Sequence, residues 1–295
     1  MSYQILDGKK VAHEIQRSIK REVEKIKSEG GKVPHIAALL VGNDGASETY
    51  VQNKIRACER VGFHSTLIQL PAHTTENKLL SEIERLNNLS EVDGFIVQLP
   101  LPRFINEQKI IESILPAKDI DGFHPINVGR MVLGLPCYIS ATPYGIIQLL
   151  EYYKIDTAGK HCVVIGRSHI VGMPISILMG KNISTGNATV TLCHSKTKDL
   201  QQYTLQADIL ISAIGKPHFV TADMVKEGAI VMDVGITRIE DKNNKTGYRL
   251  VGDVKFDDVA PKCSYITPGP GGVGPMTIAS LLKNGLSAAK REIYR

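Results

Sequence analysis

Cys162-Val163-Val164-Ile165-Gly166-Arg167-Ser168 is a short apolar run that ends on a glycine, and Gly172-Met173-Pro174 follows it. The β-branched run predicts a buried strand, the glycine a tight turn, and the Gly-Met-Pro sequence the first turn of a helix. Strand, turn and helix in that order suit a pyrophosphate, because the turn points backbone N–H groups outward and the helix N-terminus faces the anion. The spacing is not G-x-G-x-x-G: Ser168 stands where the second glycine would be. The plain alternative is an ordinary α/β turn. The strand before and the helix after it favour a dinucleotide site.

The next apolar run ends Cys193-His194-Ser195-Lys196-Thr197-Lys198. An NAD site places an acid at this strand end to hold the ribose 2′-hydroxyl. Here the position offers a serine hydroxyl followed by lysines, and Arg167 can reach the same corner. With cations present and no carboxylate to repel a 2′-phosphate, NADP is the expected cofactor.

Working outward, strands are expected at 161–166, 188–193, 208–213 and 229–234, with 249–254 as a further edge strand. Upstream, the pattern predicts a helix over 11–27, then strand 35–41, helix 47–61, strand 65–70, helix 76–87 and strand 94–99. Six prolines punctuate the passage from Pro100 to Pro143, which reads as loop-rich and irregular. Thr142-Pro143 then reads as an N-cap and a first-turn proline opening a helix to about Tyr153. After the glycine-rich run 268–274, residues 278–293 return to an amphipathic helix that packs back on the first domain. The fold class is α/β in two domains: a catalytic α/β domain of residues 1–141 plus 277–295, and a Rossmann-type domain of residues 142–276, with a cleft between them.

Composition narrows the partners. Apolar residues are 43% and charged residues 22% of 295, which excludes wholesale disorder. No apolar run reaches the length of a membrane span. Charges, Glu14, Glu22, Glu24 and Glu29 among them, break any signal peptide or presequence at the start, so a cytoplasmic chain is expected. The net charge of +5 comes from scattered residues, with no Trp and 5% aromatics, so no nucleic-acid partner is expected. The 5 cysteines are odd in number and far apart, which argues against a disulfide framework or a zinc site.

Chemistry is harder to place. In the helix 47–61, Val51, Ile55 and Cys58 form an apolar stripe, and Tyr50 and Lys54 stack at i, i+4 on its edge. They could line a cleft, but taken alone the better reading is a surface pair whose lysine stem covers apolar area. Gln98 is the polar side chain near the carboxyl end of the buried run Gly94–Leu99, where open parallel sheets bind ligands; a satisfied core amide fits equally. Asp121 and His124 lie in Asp121-Gly122-Phe123-His124-Pro125, which is also an ordinary turn sequence.

Together these passages resemble the bifunctional methylenetetrahydrofolate dehydrogenase/cyclohydrolase family, FolD, along essentially the whole chain. The matching stretches are Tyr50-Val-Gln-Asn-Lys54, Gly94-Phe-Ile-Val-Gln-Leu-Pro-Leu-Pro102 and Lys118-Asp-Ile-Asp-Gly-Phe-His-Pro125. They continue with Gly166-Arg-Ser168, Val171-Gly-Met-Pro174, Gly252-Asp-Val254 and Pro270-Gly-Gly-Val-Gly-Pro-Met-Thr277. The resemblance implies a homodimer that uses NADP to oxidise 5,10-methylenetetrahydrofolate to the methenyl form and hydrolyses that to 10-formyltetrahydrofolate. It implies that Lys54 is the key catalytic residue of hydrolysis, with Gln98 beside it, Tyr50 positioning the folate and Asp121 anchoring the pterin. Leu99, Pro100, Pro270 and Gly271 are then further substrate contacts, and Gly166, Arg167, Ser168, Ser195 and Ile236 are cofactor contacts. The chain departs from the family pattern at Ala141, where cysteine is usual, at Gly269, where a small apolar residue is usual, and at Lys255, where an acid is frequent. The other readings are a dehydrogenase without the hydrolytic step, a shikimate-type NADP dehydrogenase, and a non-catalytic NADP-binding sensor. Lys54 and Gln98 argue against the first, and the folate motifs against the second.

Overall fold

The computed structural model of the chain describes residues 3–241, 244 and 247–294. The elements begin with β1 (Gln4–Ile5), α1 (Gly8–Ser28), β2 (His35–Val41), α2 (Gly45–Val61), β3 (His64–Leu70), α3 (Glu76–Asn88) and β4 (Gly94–Val97). There follow α4 (Glu107–Glu112), α5 (Pro125–Leu133), α6 (Ala141–Tyr152), β5 (His161–Ile165), α7 (Gly172–Gly180), β6 (Thr189–Cys193), α8 (Leu200–Thr204) and β7 (Ile209–Ser212). The last are β8 (Ile230–Asp233), β9 (Thr237–Glu240), β10 (Tyr248–Val251), α9 (Phe256–Val259), β11 (Tyr265–Ile266) and α10 (Val273–Ala289).

The chain divides into two compact units. One holds His13–Ala141 and Ile278–Arg295; the other holds residues 3–12 and Thr142–Thr277. In the first unit β3, β2 and β4 form a parallel sheet with β2 in the middle. β2 is apolar almost throughout because both of its faces are covered. Ala37, Leu39 and Val41 pack with Leu79, Ile83 and Leu86 of α3 and Ile110 of α4. Ile36, Ala38 and Leu40 face the other way, onto Val51 and Cys58 of α2 and Leu281, Leu282 and Leu286 of α10. The period of two along one strand therefore divides the core into two layers.

The second unit is built on a parallel sheet in the order β1-β11-β8-β7-β5-β6. From β5 the chain adds β6 on one side, then returns to add β7 and β8 on the other. The reversal leaves a crevice outside the carboxyl ends of β5 and β7, the place where such sheets bind ligands. Val163 and Ile165 of β5, Leu210 of β7, Val231 of β8 and Ile266 of β11 share one core.

Several expectations are corrected. Residues 3–12 belong with the second unit, because Gln4 and Ile5 pair with Tyr265 and Ile266. Residues 248–251 are a strand, but β10 pairs antiparallel with β9 in a separate two-stranded ribbon and not at the sheet edge. The proline-punctuated passage contains two helices. Asn106 caps α4 by accepting from the Lys109 amide, and His124 caps α5, with Pro125 in its first turn. Strand β4 ends at Val97, one residue before Gln98. Among the described residues no helix is long and apolar enough to cross a membrane.

Candidate active site

In the first unit, α2 carries two of the expected site residues. Asp44 caps its start by accepting from the Ser47 amide, and Gly62 ends it in the left-handed region. With Val51 and Cys58 turned into the core, Tyr50 and Lys54 come to its edge. The Lys54 ammonium lies 5.1 Å from the centre of the Tyr50 ring, a cation–π arrangement. Lys54 is only 6% exposed, so the surface reading of the pair is wrong.

Gln98 and Asp121 explain that burial. Where β4 runs out, the Gln98 amide still donates to the Leu39 carbonyl at 2.8 Å. Its side-chain Nε2 donates to the Leu99 carbonyl at 2.6 Å, which turns Oε1 toward Lys54 Nζ, 3.2 Å away. Asp121 Oδ1 is 4.0 Å from the same ammonium, and this carboxylate is buried too. Burial lowers the pKa of Lys54 below its ordinary value, against the opposing pull of Asp121 and Cys58. Burial likewise raises that of Asp121, with Lys54 opposing. The Cys58 thiol, pushed up to about 12 chiefly by burial, is no nucleophile at neutral pH. Leu99 is half-buried and Pro100 exposed beside this cluster, and a cis peptide joins them.

In the second unit the carboxyl ends of the strands carry the expected cofactor residues. Gly166 follows β5 with φ of 113°, and a Cβ there would meet the Ala213 carbonyl oxygen at 2.3 Å. A Cβ on Gly172 would meet the Gly166 carbonyl oxygen at 2.0 Å. These two glycines make the tight turn and the close helix approach that the G-x-G-x-x-G pattern supplies at other spacing. Between them, Ser168 Oγ accepts from the Val171 and Gly172 amides and so ties the turn to the start of α7. Arg167 is exposed beside it, and Ser195 and Lys196 are exposed after β6. Ile236, 47% exposed, follows β8, and its side chain fills the space that a Cβ on Gly274 would need. Pro270 is exposed and cis to Gly269; the buried Gly271 accepts from the Lys9 amide at 3.1 Å. The site residues expected from the sequence therefore fall into two groups, one in each unit.

Two buried acids to which the sequence reading gave no role set the loops of the second group. Asp233 accepts from the amides of Gly235, Asp253 and Val254. Asp253 accepts from Ser212 Oγ and from the Ile214 and Lys216 amides. A Cβ on Gly252 would lie 1.8 Å from Asp233 Oδ2, and one on Gly235 would lie 2.1 Å from Asp253 Oδ1. The Gly252-Asp253-Val254 motif is thus the far half of a carboxylate knot that fixes the turns after β7 and β8. For Asp233 the available signal was an acid at the end of a buried strand; for Asp253 it was the acid between Gly252 and Val254.

A family model described as the NAD(P)-binding domain of tetrahydrofolate dehydrogenase/cyclohydrolase matches residues 140–293, and the one for the catalytic domain matches residues 6–121. The chain belongs to the tetrahydrofolate dehydrogenase/cyclohydrolase family. Among its relatives in that family, the bifunctional protein FolD of Cytophaga hutchinsonii is 64% identical over 97% of this chain and 99% of its own. The FolD crystal structure from Campylobacter jejuni is 47% identical with a TM-score of 0.92, covering 99% of this chain and 100% of that one. The Trypanosoma brucei FolD structure, described as complexed with NADP cofactor and inhibitor, is 36% identical with a TM-score of 0.94 over the whole of both chains. The two matched domains correspond to the two kinds of site: Lys54, Gln98 and Asp121 fall in the catalytic segment, and the Gly166 turn falls in the NAD(P)-binding one.

Proposed function

We propose that this chain is a bifunctional one-carbon enzyme that oxidises 5,10-methylenetetrahydrofolate with NADP and hydrolyses the resulting 5,10-methenyl compound to 10-formyltetrahydrofolate. The observation that carries the reading is the buried Lys54 ammonium held between Gln98 and Asp121 in the family's catalytic segment.

The turn from Gly166 to Gly172 suits a pyrophosphate, since a Cβ at either glycine would collide with the Ala213 or the Gly166 carbonyl and push the backbone out of the tight turn. Arg167, Ser168, Ser195 and Ile236 are the cofactor contacts in this reading, and the exposed Arg167 and Lys196 favour a 2′-phosphate. When bound there, NADP supplies the acceptor for the hydride that leaves the methylene carbon. The chain's share in the oxidation is to hold that carbon in place, with Asp121 accepting from the pterin amino and ring N–H groups in charge-assisted bonds. Tyr50, Leu99, Pro100, Pro270 and Gly271 are the remaining substrate contacts.

Hydrolysis asks more of the protein. Water adds to the methenyl carbon, the bond from that carbon to the pterin nitrogen breaks, and a proton must reach the departing nitrogen. The other proton of the water leaves to solvent. Lys54, desolvated and therefore lowered in pKa, exchanges protons in this step while Gln98 Oε1 holds its orientation. Expected for Lys54→Met is a fall in cyclohydrolase turnover of roughly a hundredfold or more, with folate binding largely kept. Purified protein, methylenetetrahydrofolate and NADP in one cuvette, followed for methenyl appearance and decay, gives both steps; full decay rates in the variant would refute the assignment. Assembly as a homodimer and residence in the cytoplasm belong to the same reading and rest on the family resemblance.

A further inference from the structure

Asp121 can act on a pterin only if its carboxylate stays where Lys54 meets it, and the short stretch that carries it is tied at every residue. The Asp119 carboxylate accepts from the Phe123 amide at 3.2 Å, the His124 amide at 2.8 Å and Asn127 Nδ2 at 2.9 Å. One side chain thereby closes the turn that follows Asp121. The Asn284 amide nitrogen, reaching in from α10, donates to the Ile120 and Ile139 carbonyls, both at 2.9 Å. The Asp121 carbonyl accepts from the Ala141 amide at 3.3 Å, and the Gly122 amide donates back to the Asp119 carbonyl at 3.1 Å. Asn127 Oδ1 accepts from the Tyr138 amide at 3.3 Å and from the Tyr294 hydroxyl at 2.7 Å. Asp119 also forms a parallel bridge with Phe95 of β4, the strand that leads into Gln98, so the Asp121 stretch and the Gln98 stretch share one register.

We propose that Asp119, Asn127 and Asn284 are positioning residues that hold the Asp121 carboxylate at Lys54, and that they act on the reaction only through Asp121. All three are buried, so each shapes the site from behind. The proposal rests on the reading of Asp121 as the pterin anchor. A displacement of about 1 Å at a reacting group can cost a hundredfold in rate, so loosening this clamp has a kinetic signature distinct from loss of stability.

The test is a double-mutant cycle in the full-length enzyme. Asp119→Asn is expected to raise KM for methylenetetrahydrofolate and lower cyclohydrolase kcat, each by roughly tenfold, with the NADP dissociation constant within about twofold of wild type. In an Asp121→Asn background the same change is expected to add less than about twofold, the limit for residues that act through one another and have nothing left to act on. Tyr294→Phe, which removes one bond to Asn127 from an outer position, is expected to show the same pattern at roughly threefold and serves if Asp119→Asn does not fold. A lowered melting temperature with unchanged KM and kcat overturns the proposal, as does an effect that persists in full without the Asp121 carboxylate. A wild-type KM in Asp121→Asn alone overturns the anchor reading itself and the proposal with it.

Discussion

The Lys54 side chain is a cation placed where a cation is costly, with one amide oxygen and one carboxylate as compensation. Removing the charge and keeping it do not test the same thing. Lys54→Arg retains a cation, but a guanidinium keeps its proton even when buried. Its cyclohydrolase turnover is expected to fall by roughly a hundredfold or more, as in Lys54→Met. The pH profile supplies the sign: neutral amine accumulates as pH rises through the lowered pKa of Lys54, and the wild-type limb that follows it is expected to vanish in the arginine variant. An unchanged limb would mean that another group exchanges the proton. At this scale the sequence was partly legible. The i, i+4 spacing of Tyr50 and Lys54 gave their shared face, but the groups that bury Lys54 come from Gln98 and Asp121, far along the chain. Asn284 was hidden for a related reason: a polar residue in an apolar helix looks like surface until its two carbonyl partners are known.

Among the elements, the turn from β5 to α7 is set by sterics. A Cβ on Gly172 would crowd both the Gly166 carbonyl and Arg167 Cα, so Gly172→Ala must move the backbone that faces the pyrophosphate. Titration calorimetry with NADP is expected to show at least a tenfold loss, about 1.4 kcal/mol. Gly180→Ala, at the far end of the same helix, meets only Val190 at an ordinary 3.7 Å and is expected to bind within about twofold of wild type. Equal losses in both would remove the steric argument. The long strands were legible because β2 and β5 are continuous apolar runs bounded by turns. β1 and β11 are two residues each, too short to show any alternation, and their pairing joins opposite ends of the chain. The helices α4 and α5 were missed although their signals were present: Asn106 followed by Glu107, and His124 followed by Pro125, are ordinary helix starts obscured by the prolines around them.

For the whole molecule, each unit carries a buried acid that resists ionisation. Burial raises Asp119 to about 7 and Asp233 to about 6, from an ordinary 3.8. A raised folded-state value means that the native state holds the proton longer than the unfolded chain does. The stability from Asp233 is therefore present in full below about pH 4 and is lost as pH rises to about 6. Any stability difference between wild type and Asp233→Asn is expected to shift against wild type across that window and to stay level above it. Urea unfolding at a series of pH values reads this, with each unit's transition followed separately because two units need not unfold as one. A difference that does not change with pH would show that Asp233 ionises normally in the fold.

Neither unit is a continuous stretch of chain, and that bears on how the protein comes off the ribosome. The sheet around β2 needs Leu281, Leu282 and Leu286 of α10 to complete the cover of one of its faces, and these are made only after the whole of β5 to β11. A nascent chain that has already emerged past α6 carries that face only partly covered, by α1 and α2, because domains fold as they become complete and not as they begin. The amine-bearing half of the enzyme is therefore begun before β5 is made and completed only after β11, when the Ile278–Ala289 part of α10 arrives.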